Sequence, residues 1–464
     1  MANTMRLLGF AALCGLFGNL AAAQESLLDV YQRAVQNDPA IREAEAAYLA
    51  TAEAKPQARA GLLPTLDLSA GRSSQFSENP FGANLGDGSI VGVGSEIDAD
   101  RNNWGIDLTQ TVFNWSRFIT VKQADKRVAQ AETDYEAAKQ DLLIRVAEVY
   151  FNVLAAEDTV AAEVVTREAT ARQLEQAQRR FEVGLIAITD VQEFQAAFDL
   201  AVATEIEAER SLATAHEFLR EIIGESPQDL AGPVDDLPLL TPEPANPEQW
   251  VETALEQNLA LVSSRIGADI AQDDIRIQRA ARLPTVSFSA GYSEQDSEQF
   301  ITLFFRDPSG NTISQDRFSP SAPDGYNWSL NLNVPLFSGG LNGSRIQQSV
   351  YRHRGALETL ERVARQTERQ TRDAYLGVIS NISRVKALQQ AVASSGTALR
   401  ATEAGFEVGT RTSVDVLTFQ DTLRRAETTF ARSRYDYILN VLRLKQAAGN
   451  LTVQDVEQVD GWLE

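Results

Sequence analysis

Apolar and polar positions along the chain follow two different periods. In four short stretches they alternate with period two. Leu66, Leu68 and Ala70 oppose Thr65, Asp67 and Ser69. Trp104, Ile106 and Leu108 oppose Asp107, Thr109 and Thr111. Val286, Phe288, Ala290 and Tyr292 oppose Thr285, Ser287 and Ser289, and Tyr326, Trp328, Leu330, Leu332 and Val334 oppose Asn327, Ser329, Asn331 and Asn333. These predict strands over about 62–76, 102–114, 283–296 and 326–338. Elsewhere the period is helical. Val121, Ala124, Val128, Ala131, Tyr135, Ala138, Leu142, Val146, Val149, Val153, Ala156 and Val160 recur every three or four residues, a coiled-coil seam with one slip near Leu142. About 64 residues of such helix, roughly Arg117 to Phe181, would extend about 96 Å at 1.5 Å per residue, too far for a compact domain.

The chain is written twice. Arg59-Ala-Gly-Leu-Leu-Pro-Thr returns as Arg279-Ala-Ala-Arg-Leu-Pro-Thr, and Trp104-Gly-Ile-Asp-Leu returns as Trp328-Ser-Leu-Asn-Leu. Tyr150-Phe-Asn-Val returns as Tyr375-Leu-Gly-Val, and Phe181-Glu-Val-Gly184 as Phe406-Glu-Val-Gly409. The offsets are 220, 224, 225 and 225, in constant order, which argues for a tandem duplication. The expected layout is a first repeat over 24–225, a Pro-rich linker over 226–248, a second repeat over 249–450 and a C-terminal tail over 451–464. Each repeat holds an initial helix (Leu27 to Ala60; Trp250 to Ala281), two strands, and a long helical hairpin with its tip near 184 or 409. The initial and returning helices, stacked end to end, match the long one, so each chain should supply four helical columns.

Residues 1–23 have the make-up of a signal peptide: Arg6, an apolar stretch from Leu7 to Leu20, and Ala21-Ala22-Ala23 before a mature start at Gln24. Removing them takes the net charge from −22 to −23, since Arg6 is their only charged residue, and removes Cys14, the only cysteine. An exported chain without thiols uses neither disulfides nor thiolate metal sites. Its acidity argues against a nucleic-acid partner, whose phosphates it would repel.

No later segment is apolar for long enough to cross a bilayer as a helix: the best run, Leu142 to Ala156, contains Arg145, Glu148 and Asn152. Spanning would require a β-barrel. A soluble sheet with one solvated face would alternate in the same way. Four strands cannot close a transmembrane barrel, whose smallest common form has about 8, so other copies must complete it and a trimer of twelve strands is the simplest closed solution. The loops over Phe76 to Asn103 and Ser293 to Gly325 would then be extracellular.

Two stretches carry a family resemblance: Gln178-Arg-Arg-Phe-Glu-Val-Gly-Leu-Ile-Ala-Ile-Thr-Asp-Val-Gln192 and Glu403-Ala-Gly-Phe-Glu-Val-Gly-Thr-Arg-Thr-Ser-Val-Asp-Val-Leu417. With the duplication and the Leu-Pro-Thr strand starts, the chain from about Ser26 to Gly449 resembles the TolC family of outer-membrane efflux proteins. The resemblance implies a mostly α fold with a small transmembrane β-barrel, closed as a homotrimer with twelve strands and twelve helical columns. It implies an outer-membrane duct of a Gram-negative bacterium, most of its mass periplasmic, serving efflux or type I secretion. The implied partners are outer-membrane lipid, a periplasmic adaptor and an inner-membrane pump of RND, ABC or MFS type; no cofactor or metal is implied.

The resemblance also assigns residues. Thr189 and Asp190 on one hairpin would be held by Arg411 on the other, and Gln173 would pair with Glu403, closing the periplasmic end until the coiled coils open like an iris. Asp415 would belong to an acidic constriction ring, while the tips Gly184-Leu185 and Gly409-Thr410 would contact the adaptor. Two departures stand out. Phe406 replaces a link-forming tyrosine and cannot hydrogen-bond, and Thr418 replaces a second ring aspartate, so cation selectivity should be weaker.

An enzyme is the first rival reading. The two histidines, His216 and His353, lie far apart, each at helical spacing from leucines or valine, and no nucleophile, phosphate-loop or metal-ligand motif accompanies them. The second rival is a soluble periplasmic coiled-coil scaffold or adaptor without a channel.

Overall fold

The computed structural model describes residues 24–84, 90–225, 229–234, 236–306 and 309–463. The expected signal peptide, with Cys14, lies outside them. The chain packs as two compact units. One holds the chain up to Ala47, Thr133–Val262 and the chain from Arg362 onward; the other holds Tyr48–Glu132 and Ser263–Glu361.

The helices are α1 (Leu27–Asn37), α2 (Pro39–Ala52), α3 (Ala54–Ala60), α4 (Trp115–Glu182), α5 (Ile188–Ile223), α6 (Pro247–Gln257), α7 (Leu259–Ala280), α8 (Leu341–Glu407), α9 (Ser413–Ala448) and α10 (Val453–Asp460). The strands are β1 (Thr65–Asn84), β2 (Ile90–Phe113), β3 (Thr285–Arg306), β4 (Thr312–Ser321) and β5 (Asp324–Asn333). The long helices are unbroken over 68 and 67 residues, as the seam predicts. The initial helices are not single. Leu27 to Ala60 is divided at Asp38, which takes an extended conformation before Pro39, and again at Glu53. Trp250 to Ala281 is divided at Asn258, also extended.

In the first unit, one core gathers most of these elements. Leu142, Val146, Tyr150, Val153 and Leu154 of α4 meet Leu27 and Val30 of α1, Leu219 and Ile223 of α5, Val378 of α8, and Ile438 and Leu442 of α9. Burying each such side chain contributes about 2 kcal/mol before conformational entropy is charged against it. The expected tail is part of this core: α10 places Val456 and Val459 in it. The repeats join their helix ends in the same way. Asn37 donates its side-chain amide to the Ile223 carbonyl at 2.9 Å, and Asn258 donates to the Ala447 carbonyl at 3.0 Å. Carbonyls in the last turns of α5 and α9 thereby gain a partner. Left-handed glycines, Gly224 and Gly449, cap both helices.

In the second unit, the strands form one antiparallel sheet in the order β1-β2-β3, with β4 and β5 sharing the next position along β3. β4 pairs with Ser297–Arg306 of β3, and β5 with Thr285–Glu294. The break lies at Ala322-Pro323, where proline has no N–H for the ladder. The first three strand bounds predicted from alternation (62–76, 102–114 and 283–296) therefore correct to longer elements, the fourth (326–338) to a shorter one ending at Asn333, and much of the two predicted loops is hairpin, including the additional strand β4. Beyond Gly71 and Tyr292 the two faces no longer differ, being polar on both over Arg72–Gln75 and Ser293–Gln299 and largely apolar on both over Phe300–Phe305, so period two fades while the ladder continues.

Register puts the apolar positions on one face. Leu68 pairs with Ile106, Ile106 with Tyr292 and Tyr292 with Tyr326; one step along, Leu66 pairs with Leu108, Leu108 with Ala290 and Ala290 with Trp328. The opposite face carries Asp67, Asp107, Ser289 and Ser329. Leu66, Leu68, Tyr326, Trp328, Leu330 and Leu332 are all more than half exposed.

Candidate functional site

The two hairpin ends repeat one construction. After Glu182, Gly184 turns left-handed (φ +77°), its N–H donating to the Phe181 carbonyl at 2.8 Å while Leu185 donates to Arg180 at 2.9 Å. After Glu407, Gly409 turns the same way (φ +78°), donating to Phe406 at 3.1 Å while Thr410 donates to Gly405 at 2.8 Å. Both bonds satisfy carbonyls of the last helical turn. Val183, Leu185 and Val408 stand exposed at these tips.

The next turn is started by an aspartate in each copy. Asp190 accepts from the Ala187 N–H at 3.3 Å; Asp415 accepts from the Thr412 N–H at 3.0 Å and its hydroxyl at 2.9 Å. The Thr412 backbone bond first, then its hydroxyl, and then the nearby Arg411 charge hold the Asp415 carboxyl below the usual carboxylate range. Within a single chain this carboxylate is a helix cap and a stable anion. Thr418 donates its hydroxyl to the Val414 carbonyl at 2.7 Å and adds no charge.

The predicted links are not formed inside one chain. Arg411 makes no ion pair with Asp190 and no bond with the exposed Thr189; its stem folds over Gly405, where a Cβ would come within 2.8 Å of Arg411 Cγ. Gln173 and Glu403 share no hydrogen bond, and Gln173 Oε1 is buried without a partner. The hairpins are joined mainly by residues that the sequence did not single out, Ser413, Glu193 and Phe194, together with Asp190 and Phe406. Ser413 is buried, and its hydroxyl lies 2.5 Å from Glu193 Oε2 and 3.2 Å from Asp190 Oδ1. Around it Leu174, Ala177, Val191 and Phe194 form a small apolar core. Phe406 packs edge-on against Phe194 (centroids 5.9 Å apart), and the Arg180 guanidinium lies 5.3 Å from its ring centre. Phe406 thus contributes aromatic packing between the hairpins.

Farther along the hairpins, buried Glu163 of α4 accepts from Arg424 of α9 at 2.7 Å and from Thr204 of α5 at 3.1 Å, while Arg424 also reaches Asp421 at 2.7 Å. One carboxylate therefore ties three helices, and a buried charge of this kind holds register because removing its partner is costly.

Two halves of one construction, an exposed apolar sheet face and helical hairpins tied by polar and aromatic contacts agree with the comparisons with known proteins. The outer membrane efflux protein family model matches residues 30–225 and again 250–450. The chain belongs to the outer membrane efflux protein family. A relative in this family, outer membrane protein TolC of Vibrio cholerae, is 35% identical over 449 residues, covering 96% of each chain. Alkaline protease secretion protein AprF of Pseudomonas aeruginosa is 29% identical over 438 residues, 93% of this chain and 86% of that relative. The CmeC outer membrane channel of Campylobacter jejuni superposes with a TM-score of 0.71 at 16% identity, over 94% of this chain and 89% of that one, which shows the shared fold.

Proposed function

We propose that this chain is the outer-membrane exit duct of an efflux or type I secretion system, conducting substrates passively outward from an inner-membrane pump. The observation that carries this reading is the match of both halves to the outer membrane efflux protein family. The sheet supports it physically. Its apolar face is continuous over four strand positions, and such a surface needs lipid or protein to cover it. Among the described residues β1 pairs only with β2, and β4 and β5 only with β3, so both sheet edges are open to further strands. Three copies joined edge to edge close the barrel, with the polar face lining a wet lumen.

In this reading the hairpin ends form the periplasmic gate. Ser413, Phe194 and Phe406 hold the two hairpins of one chain together, while Arg411 reaches Thr189 and Asp190 of a neighbouring copy. Gln173 and Glu403 meet in the same way. Three copies of Asp415 ring the axis and favour cations. Gly184, Leu185, Gly409 and Thr410 present the tips to a periplasmic adaptor. The protein itself carries out no chemistry.

Deleting the gene and restoring it on a plasmid tests the reading. Loss of resistance to several unrelated toxic compounds, or loss of one exported polypeptide, with rescue by the intact chain, is the expected result. Unchanged phenotypes, with the protein released from cells without detergent, would contradict it and favour a soluble scaffold.

A further inference from the structure

The second unit holds a groove of about 480 Å³ where the helices meet the sheet, between the start of α4 and the end of α7. Its apolar wall is Trp115, Ile119 and Leu283. Trp115 follows the last residue of β2, Phe113, by two positions, and Leu283 precedes the first of β3, Thr285, by two. Phe113 is paired with Val286, on the apolar side of the sheet. The groove therefore opens beside the end of the face that the proposed function puts in lipid. Trp115 is half exposed, and Phe118 lies 6.1 Å from it, ring to ring. Exposed aromatics at this level are typical of a membrane–water boundary, where the ring sits among headgroups.

The groove's polar wall is unusual for this chain. In a protein of net charge −22 it carries four cations (Lys122, Lys126, Arg276 and Arg279) and a single carboxylate, Asp273. Asp273 is buried and already engaged by Lys126 at 2.5 Å and by Arg276 at 2.8 Å. Lys122 and Arg279 are exposed and form no ion pair among the described residues. Three positive charges thus stay uncompensated against an apolar wall. A ligand that fits both carries an anionic group and acyl chains.

We propose that this groove binds an anionic phospholipid of the periplasmic leaflet, its phosphate held by Lys122 and Arg279 and its chains lying on Trp115, Ile119 and Leu283. Asp273 fixes Lys126 and Arg276 behind them, so the site is positive before the lipid arrives. This inference rests on the outer-membrane placement, and its test must separate the two.

The intact protein is reconstituted into nanodiscs with equal phosphatidylglycerol and phosphatidylethanolamine, re-extracted in mild detergent, and its retained lipids are counted by native mass spectrometry. Wild type is expected to retain phosphatidylglycerol preferentially. The Lys122→Gln/Arg279→Gln variant should lose that preference, by about five-fold per cation removed. The control Arg172→Gln/Arg179→Gln, in the α4 hairpin, should keep it. Raising the salt should weaken the wild-type preference, which checks the electrostatic origin without any variant. Equal retention of both lipids by wild type, or an unchanged preference in the groove variant, overturns the proposal. So does a groove variant that dissociates into single chains while keeping the preference, since the groove is then a contact between copies. Failure of wild type to enter the bilayer at all would instead overturn the membrane placement.

Discussion

Asp190 and Asp415 occupy equivalent places 225 residues apart, and each accepts a backbone hydrogen bond at the first turn of a returning helix. Family resemblance assigned one to a link and the other to a ring; the shared helix-capping role became visible only in the structure. Asp415 adds the Thr412 hydroxyl, which Ala187 cannot offer. Because the folded-state value of Asp415 is lowered, its contribution is present above the ordinary carboxylate range and is lost as pH falls through the folded value. Asp415→Ala should therefore increase amide hydrogen exchange at Thr412 to Val416 at neutral pH, and acid should do the same to wild type. Unchanged exchange in the variant would show that other contacts hold this turn. Ser413 and Glu193 were not legible in the sequence, because a bond between two helices depends on packing that no local spacing reveals.

At the scale of elements, the repeat explains why short and returning helices meet as they do. Gly449 is left-handed, and a Cβ there would stand 2.3 Å from the Gln257 carbonyl oxygen. Gly184 is also left-handed but has nothing within 4 Å. Gly184→Ala should cost only the backbone conformation, about 1 kcal/mol. Gly449→Ala must also displace main chain, for a total of about 2–4 kcal/mol. Urea unfolding should show the larger midpoint shift for Gly449→Ala, and equal midpoints would refute the close approach. The long helices and hairpin tips were legible because a heptad seam and a paired Phe-Glu-Val-Gly motif are local signals. The divisions at Glu53 and Asn258 were not, since apolar spacing runs on through them; the one at Asp38 carried a local signal in Pro39 that the periodicity overrode. The outer parts of the strands were missed because their two faces no longer differ in polarity.

For the whole molecule, an open sheet with one apolar face and hairpins tied at their ends makes sense as one copy's share of a closed duct. The expectation of further copies came from the strand arithmetic, since four strand positions cannot close a transmembrane barrel. The proposed gate assignments rest on resemblance alone, and within one chain Arg411 finds neither of its expected partners. In the proposed assembly it finds them on a neighbouring copy, which makes it the residue on which we propose closure depends. Single-channel conductance in a planar bilayer tests this most directly. Wild type should give a small conductance that grows in Arg411→Ser, and a cation preference that falls in Asp415→Ala. Protein that assembles and enters the bilayer but passes no current in either wild type or Arg411→Ser would contradict the duct itself.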